Sequence, residues 1–505
     1  MVRKSDRKTV LGLYLGPILA LIILIFFDLD PQNPAVERTA AVAILMAVWW
    51  ITEAVPLAVT ALIPLVLFPI LGIMSGSAIA PTYINDTIFL FIGGFMVALT
   101  MQKWNLHRRI ALKIILLIGV SHGRIILGFM VATAFLSMWI SNTATAMMMI
   151  PIAIAVVDKL EENQGEAKIR RFAVGLMIGI AYAASIGGIG TLIGTPPNLA
   201  FVRILKITFP GAPDIGFTQW IMFGFPFASV FLLIAWRLLI WLFVPKGTAP
   251  QINKDIFRDE YRRLGSMNFE ERAVLIAFLI LALAWIFRSD IPIGGFVIPG
   301  WTRIMPEKSF ISDGTVAMAV ALSLFLIPSR SENKGRLLDW ATAVKIPWGI
   351  VLLFGGGFAL AAGFKESGLS VWLGGHLSGF SHFPAWMIVA AVCLMMTFLT
   401  ELTSNTATTQ MVLPILASLA VAIRVNPLLL MIPATLSASC AFMLPVATPP
   451  NAIVFGSGRV TVRQMAQSGI ILNIIGVILV TGFVFLLGRF VFGFVPDALP
   501  IWAEG

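Results

Sequence analysis

Charge is scarce in this chain. Only 12% of its 505 residues are Asp, Glu, Lys or Arg, 58% are hydrophobic, and the mean hydropathy is +0.93, far from the composition of soluble globular domains. Cysteine and histidine are scarce too. Cys393 and Cys440 lie in apolar stretches without a CxxC partner and read as packing residues. His107, His122, His376 and His382 are scattered near predicted helix ends, so no His-based metal or catalytic cluster is expected. Glu53 and Glu401 are the main candidates for buried acids, but they lie in different halves and lack a His partner. An intramembrane enzyme would need such groups clustered at membrane depth, so the chain is read as no enzyme. No ring of charge or filter sequence points to a channel. The net charge of +10 sits in short loops flanking apolar runs, where the positive-inside bias accounts for it, and nucleic-acid binding is set aside.

What the sequence has is long apolar runs, beginning at residues 10–27, and a spanning helix needs roughly 20 such residues. A membrane β-barrel would alternate over ~10-residue segments instead. The expected class is therefore all-α, a polytopic membrane protein. Spans are predicted near 10–27, 38–51, 55–73, 124–158, 172–193, 217–244, 273–288, 312–328, 384–423, 427–445 and 469–495. The basic head, with Arg3, Lys4, Arg7 and Lys8 and no small-residue cleavage site behind its apolar run, reads as a retained first helix with a cytoplasmic N-terminus. The location expected is the plasma (inner) membrane. The charged stretch 246–272 fits an amphipathic helix on the cytoplasmic surface or a solvated linker equally well.

A repeat runs through the chain. The pentapeptide SNTAT occurs at 141–145 and again at 404–408, and its offset of 263 also aligns GGF at 93–95 with 356–358, Ser137 with Thr400 and Pro151 with Pro414. TPPN at 195–198 recurs at 448–451 with an offset of 253, the difference being a longer polar loop in the first half. Two halves with the order GGF, SNTAT, TPPN are the sequence sign of a secondary transporter built from repeats. The Gly-rich segments 84–103 and 346–364 are expected to be re-entrant hairpins, which membranes tolerate where protein or water covers the backbone.

From 125 to 157 there is no charged residue. A straight helix of that length would span about 50 Å against a core of about 30 Å. A break at Ser141, Asn142 and Thr143 resolves this, because these residue types cap a new helix, leaving two half-helices that meet inside the membrane. The second offers free N–H groups and the positive dipole end to an anion. The first offers carbonyls to a hard cation such as Na+, with the hydroxyl of Ser137 or Thr400 one turn away. Asn142 and Asn405 carry both donor and acceptor. The TPPN prolines free further carbonyls, at Ile193 and Gly194 in one half and at Val446 and Ala447 in the other. One SNTAT in isolation would fit small-residue helix packing as well; two at a fixed offset favour a binding site. Neither motif contains Lys or Arg, so dipoles and bound cations must neutralise the ligand, and two tips fit a ligand with two anionic ends, a dicarboxylate.

These motifs, with the stretch AILMAVWWITEAVPLAVTALIPLVLFPILGI at 43–73, resemble the divalent anion/sodium symporter family, especially its INDY-type sodium-coupled dicarboxylate transporters. The resemblance implies two inverted repeats, about eleven transmembrane helices plus two re-entrant helical hairpins with broken helices at the midplane, and an elevator-type mechanism in a homodimer embedded in membrane lipid. It implies scaffold helices at 1–83, a first transport segment at 84–213, scaffold again at 214–345, a second transport segment at 346–466 and a C-terminal helix at 467–505. By the same resemblance, two or more Na+ would be co-transported, one held by Ser137, Ser141, Asn142 and Gly194, another by Thr400, Ser404, Asn405 and Ala447. The substrate carboxylates would meet Ser141, Asn142, Thr143, Ser404, Asn405, Thr406, Thr448 and Pro449. The function implied is Na+-coupled symport of C4 dicarboxylates (succinate, malate, fumarate). A Na+-independent dicarboxylate exchanger and a citrate or sulfate carrier on the same fold remain open.

Overall fold

The computed structural model describes residues 7–119, 121–244, 255–293, 296–331 and 335–504. Among these the chain is helical apart from one short antiparallel ribbon, in which Ile291 pairs with Ile298. The first half runs α1 (Arg7–Phe26), α2 (Ala35–Thr52), α3 (Leu57–Thr60), α4 (Ile63–Ile70), α5 (Gly76–Tyr83), α6 (Asp86–Lys103), α7 (Leu106–Ile118), α8 (His122–Ser137), α9 (Asn142–Gln164), α10 (Glu166–Ile189), α11 (Pro196–Thr208) and α12 (Phe217–Phe243). Next come α13 (Asp255–Arg263), α14 (Phe269–Ile286), α15 (Asp313–Leu326), α16 (Trp340–Ala343), α17 (Trp348–Glu366) and α18 (Leu369–Leu377). The chain closes with α19 (Ala385–Thr400), α20 (Asn405–Ala422), α21 (Leu428–Ala438), α22 (Pro449–Gly456), α23 (Val462–Phe483) and α24 (Arg489–Phe492). Nine of the described helices are long and apolar enough to cross a membrane. The predicted spans coincide with helices, except that 55–73 is divided into α3 and α4 at residues 61–62, and that 124–158 and 384–423 each hold two helices, α8 with α9 and α19 with α20.

The expected hairpins at 84–103 and 346–364 are not there. Each segment is dominated by one unbroken helix, α6 or α17, and the glycines serve close packing instead of a chain reversal. A Cβ on Gly93 would come within 2.7 Å of Ala317 in α15, and one on Gly356 within 2.4 Å of the Ala61 carbonyl beside α3. Backbones that approach this closely leave room only for hydrogen at Cα.

The chain reverses at the SNT motifs instead. Gly175, Gly179 and Gly187 of α10 meet Ile126, Met130 and Ala134 of α8 in order, so these two helices run parallel. The intervening α9 starts beside the end of α10 and returns to its beginning at Gly165. It must therefore run antiparallel to both, which makes α8 and α9 a helical hairpin with residues 138–141 at its tip. The second half repeats this. Glu401 and Cys393 of the α19 region meet Asn473 and Thr481 of α23, and the start and end of α21 meet Pro496 and Gly476. Both α19 and α21 thus oppose α23, and α20 returns between them with its tip at 401–404.

The halves interlock reciprocally: α22 packs on α9, and α11 packs on α20. Of the stretch 246–272, residues 246–254 lie outside the described residues; the remainder contains α13, whose Phe257 is buried beside the Phe129 ring of α8, and the first turn of α14. Arg109 of α7 grips Glu271 through two 2.9 Å bonds and also donates to the carbonyls of Leu264 and Gly265, fastening this segment to the first hairpin's approach.

Candidate functional site

Each hairpin tip is a helix start. Ser141 accepts from Ala144 N at 3.3 Å and Ser404 from Ala407 N at 3.5 Å, so both serines are the caps that their sequence suggests. Asn142, Thr143, Asn405 and Thr406 occupy the first turn, where unpaired N–H groups and the dipole end are presented.

Acceptor oxygens crowd behind each tip. The Ser137 hydroxyl contacts both Asn142 Oδ1 and the Ala184 carbonyl. In the second half Thr400 Oγ1 lies 2.5 Å from Asn405 Oδ1 and 2.9 Å from the Ala438 carbonyl. One hydroxyl proton cannot serve two acceptors. The oxygen pair left without a proton is the environment that a hard cation relieves. Around Gly188 the crowding continues: its absent Cβ would stand 2.8 Å from Asn142 Oδ1 and 3.0 Å from the Gly194 carbonyl, and that of Gly194 would stand 3.0 Å from the Ser137 carbonyl. Ser137, Asn142 and Gly194 are thereby brought together. Ala447 is the repeat equivalent of Gly194.

The TPPN loops are shaped alike. Asn198 donates to the carbonyls of Gly188 and Thr191, and Asn451 donates to those of Ala441 and Leu444, the same positions 253 residues on. Thr448 caps α22 by accepting from Asn451 N at 3.3 Å, and Pro449 follows as the first helical residue. Thr195 adopts the same extended conformation without that bond.

Sequence reasoning missed several residues that build this site. Gly188 lies in an apolar glycine run with no motif to mark it, and the Ala184 and Ala438 carbonyls carry no side-chain signal. Asn198 and Asn451 sat inside a recognised motif without an assigned role. Glu401 was singled out as a buried acid. It accepts from the backbone N–H groups of Phe442, Met443 and Leu444 and from Asn473, so its burial is fully compensated. Glu53 is a correction: it is exposed, and ends α2 in a left-handed conformation with φ 48°.

The sodium:sulfate symporter transmembrane region family matches residues 10–494. The chain belongs to this family. As a family member it is a multi-pass membrane transporter and not an enzyme. It is 43% identical over 513 residues to the sodium-dependent dicarboxylate transporter SdcS of Staphylococcus saprophyticus, covering 99% of this chain and 96% of that protein. It is 43% identical over 519 residues to SdcS of Staphylococcus aureus, with the same coverage. Two solved structures share the fold at 12% identity. Neisseria gonorrhoeae MtrF, from a class of antimetabolite efflux pumps, aligns with TM-score 0.55 over 94% of this chain and 98% of its own. The Alcanivorax borkumensis YdaH transporter aligns at 0.54 over 96% and 99%.

Proposed function

We propose that this family member is a secondary active transporter that couples Na+ to the uptake of C4 dicarboxylates such as succinate, malate and fumarate. The observation that carries the reading is the pair of oxygen clusters, Ser137 with Asn142 and Gly194, and Thr400 with Asn405 and Ala438, each directly behind a helix start whose first-turn N–H groups could meet an anion. Two cations held there would offset the two carboxylates, which find no Lys or Arg in either motif. The relationship to the SdcS proteins supports the same substrate and coupling ion. The Na+ ligands are then Ser137, Ser141, Asn142 and Gly194 for one ion and Thr400, Ser404, Asn405 and Ala447 for the other. The carboxylates would lie against Ser141, Asn142, Thr143, Ser404, Asn405, Thr406, Thr448 and Pro449.

The reading places the protein in the plasma membrane as a homodimer surrounded by lipid. The basic head with Arg3, Lys4, Arg7 and Lys8 supports a cytoplasmic N-terminus, and Lys159, Lys168, Arg170, Arg171 and Arg459, the last paired with Asp158 and Glu161 near the end of α9, support a cytoplasmic open end of the first hairpin. The second hairpin would enter from the opposite face, relating the repeats by an axis in the membrane plane. In an elevator-type cycle, the hairpins with α10, α11, α21 and α22 would move against α15 and against α6 and α17, which open the segments 84–213 and 346–466 expected to move but are here assigned to the fixed part, since α6 packs on α15, α14 and α17, and α17 packs also on α3.

The alternatives are a Na+-independent exchanger and, given the sulfate in the family's description, a sulfate or citrate carrier. Uptake of labelled succinate into proteoliposomes, with and without an inward Na+ gradient, tests all of these. Strong stimulation by the gradient is expected. Full uptake in choline medium without internal counter-substrate would overturn the symport reading, and sulfate outcompeting succinate would overturn the substrate.

A further inference from the structure

The two hairpin arms leaving the SNT tips are equivalent in sequence but not in surroundings. On α9, Thr143, Met147, Pro151 and Ala155 form one stripe at helical spacing. Met147 is 61% exposed, and Pro151 and Ala155 are exposed and line a cavity of about 750 Å³ that reaches Lys159 and α13. The offset of 263 turns this stripe into Thr406, Gln410, Pro414 and Ser418 of α20. All four are buried there, Gln410 to 0% exposure. The arm leaving the first tip is therefore exposed along this stripe, and the arm leaving the second is sealed.

Gln410 does not suit a permanently sealed wall. Its side chain lies on Gly357 of α17, where an added Cβ would stand 2.5 Å from Oε1, and neither Oε1 nor Nε2 has a hydrogen-bond partner. A buried carboxamide with no partner is costly, and packed interiors seldom retain one without a reason. The equivalent Met147 meets the demands of such an arm with an apolar side chain. We propose that Gln410 lines the substrate path on the side that is closed here, hydrogen-bonding water and passing dicarboxylate when that side opens. Its orphaned amide also disfavours the present inward-open arrangement, so that the resting equilibrium is shifted toward opening on the far side. The proposal rests on the alternating-access reading given above.

Cysteine accessibility tests it. Native Cys393 and Cys440 are both buried, so the wild type serves as the unlabelled background. Met147→Cys and Gln410→Cys are reconstituted in defined orientation and treated with a membrane-impermeant thiol reagent from either face. Met147→Cys should label from the cytoplasmic face at rest. Gln410→Cys should be protected at rest and label from the external face during turnover with Na+ and succinate, at least about tenfold faster than at rest. Labelling only from the cytoplasmic face, or none during normal uptake, overturns the proposal. Gln410→Met removes the orphan amide while keeping the volume; it should speed cytoplasmic labelling of Met147→Cys in the double variant and slow uptake. Unchanged labelling would overturn the bias. Wild-type uptake is measured in the same vesicles: its absence refutes the substrate assignment, whereas normal uptake with unreactive Gln410→Cys refutes this inference alone.

Discussion

Glu401 Oε2 accepts a 3.0 Å hydrogen bond from Leu444 N and so fastens the second hairpin tip to the loop ahead of TPPN. The equivalent positions of the first half, Met138 and Thr191, are also bonded, but in the opposite sense: the Thr191 hydroxyl donates to the Met138 carbonyl at 2.5 Å. The contact is kept while its chemistry is exchanged, so the tip must be tied to this loop in both halves for the oxygen clusters to form.

Glu401→Gln should therefore act on Na+ rather than on the carboxylate site. The change keeps the volume but removes the charge that holds three backbone N–H groups, and bonds to charged groups are worth about 1.5–3 kcal/mol each. The Na+ concentration for half-maximal uptake should rise by about tenfold or more in protein that still elutes as folded material. Thr191→Val removes one neutral bond, worth about 0.5–1.5 kcal/mol, and should shift it less. Equal shifts in the two variants would contradict the assignment.

Gly188→Ala probes the first cluster directly. Its new Cβ would stand 2.8 Å from Asn142 Oδ1 and 3.0 Å from the Gly194 carbonyl, too close for the amide to keep its place. Ala441 occupies the equivalent position of the second half, so a methyl group is not intrinsically foreign to this loop. Na+-stimulated uptake should fall at least tenfold, and Ala441→Gly should be tolerated. Normal Na+ dependence in Gly188→Ala would remove this cluster from the cation site.

Thr400→Ala and Thr406→Ala should separate the two kinds of ligand. Loss of the Thr400 hydroxyl, which sits between Asn405 and Ala438, should raise the Na+ requirement, with succinate affinity recovering at saturating Na+ through linkage. Loss of the Thr406 hydroxyl from the first turn of α20 removes a donor to the carboxylate, costing about 1.5–3 kcal/mol if the bond is charge-assisted. Excess Na+ should not restore that affinity. Succinate titrations at several fixed Na+ concentrations decide the matter, since identical responses would mean that both hydroxyls serve the same ligand.

The parts of the fold legible in the sequence were those with a one-dimensional signature. Apolar run length located the helices, though 124–158 and 384–423 double back as hairpins, and the two offsets paired Ser137 with Thr400 and Gly194 with Ala447. The direction of the chain through each SNT motif was not legible. A kinked span and a hairpin share the same apolar length and the same serine cap, and only the order in which Gly175, Gly179 and Gly187 meet α8 separates them. The glycines of α6 and α17 misled for a related reason: glycine marks a chain reversal and a close helix crossing equally well. Glu401 was visible as a buried acid, but its partners are backbone N–H groups, which carry no residue identity.

The ion pair between Arg203 of α11 and Asp86 of α6, at 3.5 Å, joins a helix that the proposed elevator-type cycle would move to one that it would hold fixed. If α11 travels with the hairpins, this pair must separate in every cycle. Asp86→Cys with Arg203→Cys, bridged by a short reducible bis-thiol reagent, should abolish succinate uptake while leaving Na+ binding to the oxygen clusters intact, because no ligand is altered. Reduction should restore transport, and each single variant should be active. Uptake that persists in fully bridged protein would mean that α6 and α11 do not move apart, and the boundary between the moving and fixed parts would have to lie elsewhere.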